Sequence, residues 1–223
     1  VFGGDTRSSG ATGEVQIWVK TVGALWDGWQ HNRKEGTMTV MAIGVNGSPF
    51  TVEDLEGMPD DGHRYELIDG TLLVSPAPVP RHQKIVAKLL VKLDPSCPAD
   101  LHVFPAPLAV RPSMTLEVQP DLLVCRDSDL TDKLLPVAPL LAVEILSPST
   151  ALIDLNMKKA VYERLGVPSY WIIDPDVPTL TVFEFGADGL YEQTVVVKAD
   201  EVFEATAPFP VKFSPAELLG TLK

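Results

Sequence analysis

The sequence predicts an α/β domain, a sheet with helices around it, and three observations lead there. Leu116–Cys125 and Pro139–Leu146 are continuous apolar runs, the pattern of strands buried on both faces at the centre of a helix-covered sheet. From Arg81 onward, Ile85, Val86, Leu89, Leu90 and Leu93 fall on one side of a helix, while Lys84, Lys88 and Lys92 lie four apart on another. Turn signals at Asp69-Gly70 and Ala187-Asp188-Gly189 each separate two strand-like runs, as hairpins do.

Taken in order, the chain opens with a segment unlike the rest. Val1–Gly13 is rich in Gly, Ser and Thr, and Glu14–Trp29 holds Trp18, Trp26 and Trp29 without coherent caps. The expectation for residues 1–47 is a disordered N-terminal extension, with Met38 an alternative true start. The segment lacks the basic start, apolar centre and small-residue cleavage site of a signal peptide. The domain proper is expected over residues 48–223.

Thr51 and Asp54 have capping-box spacing and open a short helix, Val52–Met58, that Pro59 ends. Arg64–Ile68 and Thr71–Val74 form a hairpin across Asp69-Gly70. Ser75–Pro80 holds three prolines and is neither helix nor central strand. After the helix from Arg81, Leu101–Val110 is an edge strand interrupted by Pro105 and Pro107, and Leu116–Cys125 and Pro139–Leu146 are the next two strands. A helix capped by Ser149 or Thr150 closes at Leu165, with Gly166 as its left-handed C′ residue. Tyr170–Ile173, Thr179–Phe185 and Tyr191–Val197 are strands. Ser214–Leu219 is a last helix, with Pro215 at its first position.

Composition narrows the function. The chain has 223 residues, 45% hydrophobic and 22% charged, which suits one sizeable core. No apolar run approaches the roughly 18 residues that span a bilayer, so no membrane partner is expected. Cys97 and Cys125 show neither CxxC nor Cys/His spacing, against a zinc site or disulfide framework and in keeping with a cytoplasmic location. A formal net charge of −12 weighs against a broad phosphate-binding surface.

The chemistry lies in two awkwardly placed acids. Asp121 opens an apolar strand and Glu144 sits inside one, between Val143 and Ile145. An unpaired carboxylate there costs several kcal/mol or takes up a proton. Two carboxylates about 4 Å apart repel by roughly 1 to 4 kcal/mol; a divalent cation reverses the sign. Glu144 and Leu146 point one way and Val143 and Ile145 the other, so Asp121 and Glu144 are expected to meet across neighbouring strands. Asp154, Lys158 and Tyr162, spaced i, i+4, i+8, share a helix face. Lys158 is then expected to orient a water or steady transition-state charge, with little role in folding. Its plain alternative is an ordinary helix pair with Asp154.

These residues stand in an ordered set: Arg64-Tyr65-Glu66-Leu67-Ile68-Asp69-Gly70, Ser75-Pro76-Ala77-Pro78, His82, Pro120-Asp121, Val143–Thr150, Asp154, Lys158, Tyr162, Gly166-Val167 and Tyr170–Pro175. In that order the chain resembles the Uma2 family of restriction-endonuclease-like proteins, in the PD-(D/E)XK nuclease superfamily, from about Phe50 to Leu219. The resemblance implies a mixed β-sheet flanked by helices, a restriction-endonuclease-like core, with Asp121 and Glu144 as ligands of Mg²⁺ (or Mn²⁺) and Glu66 as an accessory acid. The superfamily's acid-x-lysine pattern would want lysine at Leu146; here the lysine is displaced onto the following helix, which points to Lys158. His82 is an accessory candidate, or simply a polar helix start.

The resulting expectation is a metal-dependent endonuclease acting on nucleic acid, DNA ahead of RNA, with a homodimer as one assembly. Two alternatives stay open: a non-catalytic binding protein on the same scaffold, which the acidity favours, and a metal-dependent hydrolase of another substrate.

Overall fold

The computed structural model describes residues 16–18, 39–41 and 48–219. Most of the expected N-terminal extension lies outside those residues. Within it, β1 (Gln16–Trp18) and β2 (Thr39–Met41) pair in parallel.

The capping box forms as expected: the Thr51 N–H donates to Asp54 Oδ2 at 2.8 Å and opens α1 (Val52–Glu56), which Gly57 ends. β3 (Arg64–Ile68) and β4 (Thr71–Ser75) make the expected hairpin. Asp69 and Gly70 both adopt positive φ, 51° and 76°, the geometry of a type I′ turn whose twist matches its strands. α2 (Pro80–Leu93) starts on its proline and buries Ile85, Leu89 and Leu93. The edge region divides into β5 (Leu101–Pro105) and β6 (Val110–Ser113).

The largest departure falls on the next apolar run. Leu116–Cys125 is two strands, β7 (Leu116–Val118) and β8 (Leu122–Arg126), and they belong to different sheets. Pro120 stands at the break, where a ladder cannot use a residue without an N–H. Burial of both strands explains the unbroken apolar pattern, which periodicity alone does not divide.

β9 (Leu141–Ile145) follows, then a wide π-helical turn over Ile153–Lys158 that continues into α3 (Lys159–Leu165). Gly166 ends α3 at φ 70°, as expected of a left-handed C′ residue. β10 (Ser169–Asp174), β11 (Thr179–Phe185) and β12 (Tyr191–Lys198) complete the strand series. A short hairpin absent from the sequence reading, β13 (Phe203–Ala205) with β14 (Val211–Phe213), precedes α4 (Pro215–Leu219).

Among the described residues the strands make two six-stranded sheets and that two-stranded hairpin. One sheet runs β1-β2-β4-β3-β7-β6 and the other β12-β11-β10-β9-β8-β5. The second is mixed, with β9 and β10 parallel and its other pairs antiparallel. An expected mixed sheet flanked by helices is therefore present, joined by a further sheet. Leu141, Val143 and Ile145 pack on the face covered by α2, α4 and the β13–β14 hairpin. Ala142 packs on the other, against α3 and residues of the first sheet such as Ile68 and Leu73. Glu144 shares that second face, between the two sheets.

Candidate functional site

The crossing from β7 to β8 builds the site. β8 and β9 pair antiparallel from Val124↔Leu141 to Leu122↔Val143; the next step of that register sets Asp121 opposite Glu144, as the sequence suggested. The ladder stops there, and the Asp121 carboxylate takes the place of a strand partner: the Ile145 N–H donates to its Oδ2 at 2.9 Å. Arg64 Nη1, from β3 in the other sheet, donates to Asp121 Oδ1 at 3.0 Å and to the Gln119 carbonyl at 3.2 Å. His82 Nε2, from the first turn of α2, lies 2.9 Å from Asp121 Oδ2. Asp121 thus ties both sheets and a helix together.

Behind it lies a second, deeper layer. Lys158 Nζ sits 2.9 Å from Glu66 Oε1, 3.0 Å from Glu144 Oε1 and 3.8 Å from Asp154 Oδ1. The Tyr162 hydroxyl donates to Glu144 Oε1 at 2.8 Å, and the Gln119 N–H donates to Glu66 Oε1 at 2.7 Å. Glu66, Glu144, Asp154 and Lys158 are each at most 3% exposed. The π-helical turn matters here, because its wide ring carries Asp154 and Lys158 into the interior.

Four carboxyl groups, Glu66, Asp121, Glu144 and Asp154, face two cations that stay charged, Arg64 and Lys158. The surplus sets the electrostatics. Burial pushes Glu144 well above the usual carboxylate range despite Lys158 beside it. Asp154 is pushed up to about 7, again by burial that Lys158 only partly offsets. Asp121 goes the other way: burial alone would raise it, but the hydrogen bond and charge of His82, with the charges of Arg64 and Lys158, hold it well below the usual range. Lys158 loses solvation on burial, yet Glu144, Glu66 and Asp154 outweigh that and raise its pKa. Arg64 is raised too, since Asp121, Glu66 and Glu144 outweigh its own desolvation.

A cleft of about 310 Å³ opens onto the outer layer, with Arg64, His82, Gln119 and Asp121 among its lining residues. Glu66, Glu144 and Lys158 do not line it. His82 Nδ1 is buried without a hydrogen-bond partner.

All five sequence-derived candidates, Glu66, His82, Asp121, Glu144 and Lys158, therefore fall in one two-layered cluster. Asp121 and Glu144 do not hold a joint opening between them, because Lys158 and Tyr162 occupy Glu144 while Arg64, His82 and a backbone N–H occupy Asp121. Among the described residues, no group of three or more His, Cys, Asp or Glu side chains is set to hold a metal ion. Lys158 is also more than a bystander in folding, being the shared counter-charge of two buried acids. Sequence reasoning passed over Arg64, although Arg64 and Glu66, two apart on one strand, necessarily share a face. It placed Tyr162 on the helix face of Asp154 and Lys158, and only the fold shows its hydroxyl aimed at Glu144.

Comparison with known proteins places this geometry. A family model described as "Uma2: Putative restriction endonuclease" matches residues 52–219. No curated protein matches the chain. A crystal structure described as "a putative nuclease belonging to DUF820", from Anabaena variabilis, shares its fold with a TM-score of 0.61 at 20% identity, covering 77% of this chain and 98% of that one. With the family's match extending over most of the chain and both sheets, the chain belongs to the Uma2 family.

Proposed function

We propose that this protein is a divalent-metal-dependent endonuclease that hydrolyses phosphodiester bonds of nucleic acid. One observation carries the reading: Asp121, Glu144, Lys158 and Glu66 converge at the seam between two sheets, and Asp121 lies where that seam meets the cleft.

Restriction-endonuclease-like families usually use divalent metals, and the chemistry of the donor atoms suits one, although Glu144 is paired with Lys158 and Asp121 with Arg64 and His82 as the cluster stands. The donor set is all oxygen, as hard cations require, and it carries more acid than its own cations neutralise, with burial raising Glu144 and Asp154 above the usual carboxylate range. Asp121 and Glu144 would hold the ion, which when bound supplies charge neutralisation and an acidified water. Around it the chain's own groups have separable work. Arg64 and His82 fix the Asp121 carboxylate, and Arg64 puts positive charge beside it in the cleft, where a phosphate would lie. Lys158 stays protonated, so its part is electrostatic stabilisation and not proton abstraction.

A second reading has its own observation. Lys158 is shared between Glu66 and Glu144, neutralising the acids a metal needs, which favours a non-catalytic binding protein on this scaffold. Calorimetric titration with Mg²⁺ and Mn²⁺, run beside cleavage of plasmid, single-stranded DNA and RNA, separates the two. The nuclease reading expects metal binding, with cleavage lost by about a hundredfold in Asp121→Ala and Glu144→Ala, about 2.7 kcal/mol. Lys159→Ala should keep full activity, since Lys159 Nζ lies over the Phe183 ring at 4.5 Å and not in the cluster. Metal bound without cleavage of any substrate would establish the binding reading. Equal residual activity in every variant would mean that the cleavage belongs to a contaminant.

A further inference from the structure

The cleft over Asp121 is small and is lined by apolar as well as polar residues. At about 310 Å³ it sits at the lower end of the roughly 300–1,000 Å³ of small-molecule pockets. Ala77, Pro78, Ala106, Pro107 and Val86 of α2 supply its apolar lining. Of its charged and polar groups, Arg64, His82 and Gln119 gather at Asp121, and His63 lines the cleft as well. That is the layout for one sugar and base against the walls with a phosphate at the floor.

Reaching Asp121 demands such entry, because Asp121 is only 3% exposed. A phosphate on the outside of a continuous duplex stays at the surface. Of the lysines spaced along α2, Lys88 donates to the Glu217 carbonyl at 2.6 Å and Lys92 pairs with the Glu217 carboxylate. The whole chain carries −12, and duplex DNA brings a charge about every 1.7 Å against about 3.4 Å along each of its strands. Repulsion therefore falls hardest on the duplex.

We infer that the cleft admits one unpaired nucleotide at a time, so that the substrate is single-stranded nucleic acid or a duplex opened locally. The inference rests on the nuclease reading of Asp121 and names the substrate class of that site.

Fluorescence anisotropy on the full chain tests it, with Ca²⁺ present and again in EDTA. The probes are twelve-nucleotide oligomers of one sequence: single-stranded DNA, single-stranded RNA, perfect DNA duplex, and DNA duplex carrying a three-nucleotide bulge. At least one single strand and the bulged duplex should bind about tenfold tighter than the perfect duplex, and the DNA and RNA arms identify the sugar. Ala77 is an exposed wall residue, so Ala77→Trp should weaken single-strand binding about tenfold by filling the mouth. It should leave the thermal midpoint and the Mg²⁺ titration unchanged. Ala77→Glu, smaller and negative, should do the same and serves if the tryptophan variant does not fold. Val202→Trp, at an exposed position outside the lining, is the neutral control. Perfect duplex bound as tightly as the single strands, or folded Ala77 variants with unchanged binding, would overturn the inference. Duplex cleavage insensitive to Ala77→Trp would overturn it while leaving the nuclease reading intact. Single-strand binding that depends on Ala77 without cleavage would do the reverse.

Discussion

Removing the Lys158 ammonium leaves Glu66 and Glu144 buried without the cation they share. Breaking a buried pair by deleting one partner costs about 3–5 kcal/mol. Lys158→Met should therefore lower stability by that order in chemical denaturation, as well as abolishing any cleavage; an unchanged midpoint would mean that the ammonium is solvated and the pairs open in solution. Asp154 makes a prediction of opposite kind. Its folded pKa, about 7, lies above the ordinary aspartate value of 3.8, so between those pH values the folded state holds the proton more tightly. Stability in EDTA should fall by a few kcal/mol as pH rises from about 4 to about 7. Asp154→Asn, which cannot ionise, should make that fall shallower, leaving the part that the likewise raised Glu144 contributes. A wild-type profile already flat across the window would show that Asp154 ionises normally.

Elements were read well where the signal was local. The Thr51/Asp54 box, the Asp69-Gly70 turn and the Gly166 helix end depend on neighbours in sequence, and all three form as expected. The turn also carries a packing constraint that spacing does not reveal. A Cβ on Gly70 would lie 2.4 Å from the Pro49 Cβ, at a backbone φ of 76°. Gly70→Ala should thus cost about 2 kcal/mol or more, read as a lower thermal midpoint. A loss under about 0.5 kcal/mol would mean that Pro49 moves aside freely. Leu116–Cys125 shows where local reading stops. Both halves are buried, so nothing in their pattern says that they lie in different sheets, and Pro120 supplied the only hint. The π-helical turn was equally invisible: i, i+4 spacing put Asp154 and Lys158 on one face correctly but said nothing of the wider ring beneath them.

For the molecule as a whole, the two sheets share one strip of interior, and the two strands described upstream of Ser48 lie at the far edge of one sheet. β1 is the outermost strand there, while β2 pairs with β4 through Thr39↔Val74, Val40↔Leu73 and Met41↔Leu72. A chain starting at Met38 keeps that ladder and should unfold at the same temperature as the full chain; a midpoint several degrees lower would show that the upstream segment packs on the domain. A chain starting at Ser48 loses β2 and bares the β4 edge. Its midpoint should fall measurably below both.

By itself the sequence determined which residues carry unusual chemistry and which turns and caps punctuate the chain. Acids in apolar strands, a lysine on the buried face of a helix and a histidine at a helix start were each conspicuous against their local background, because burying charge is costly wherever it occurs. Beyond the meeting of Asp121 with Glu144, tertiary structure alone decided who meets whom. The break at Pro120 sends one apolar run through two sheets and so brings Arg64 and Glu66 of the first to Asp121 and Glu144 of the second. It also decided that Asp121 faces a cleft while Glu144 lies behind, paired with Lys158 and Tyr162. Pairing across 57 residues, as in Arg64 with Asp121, or 92, as in Lys158 with Glu66, is set by sheet order, and sheet order follows from packing the whole core.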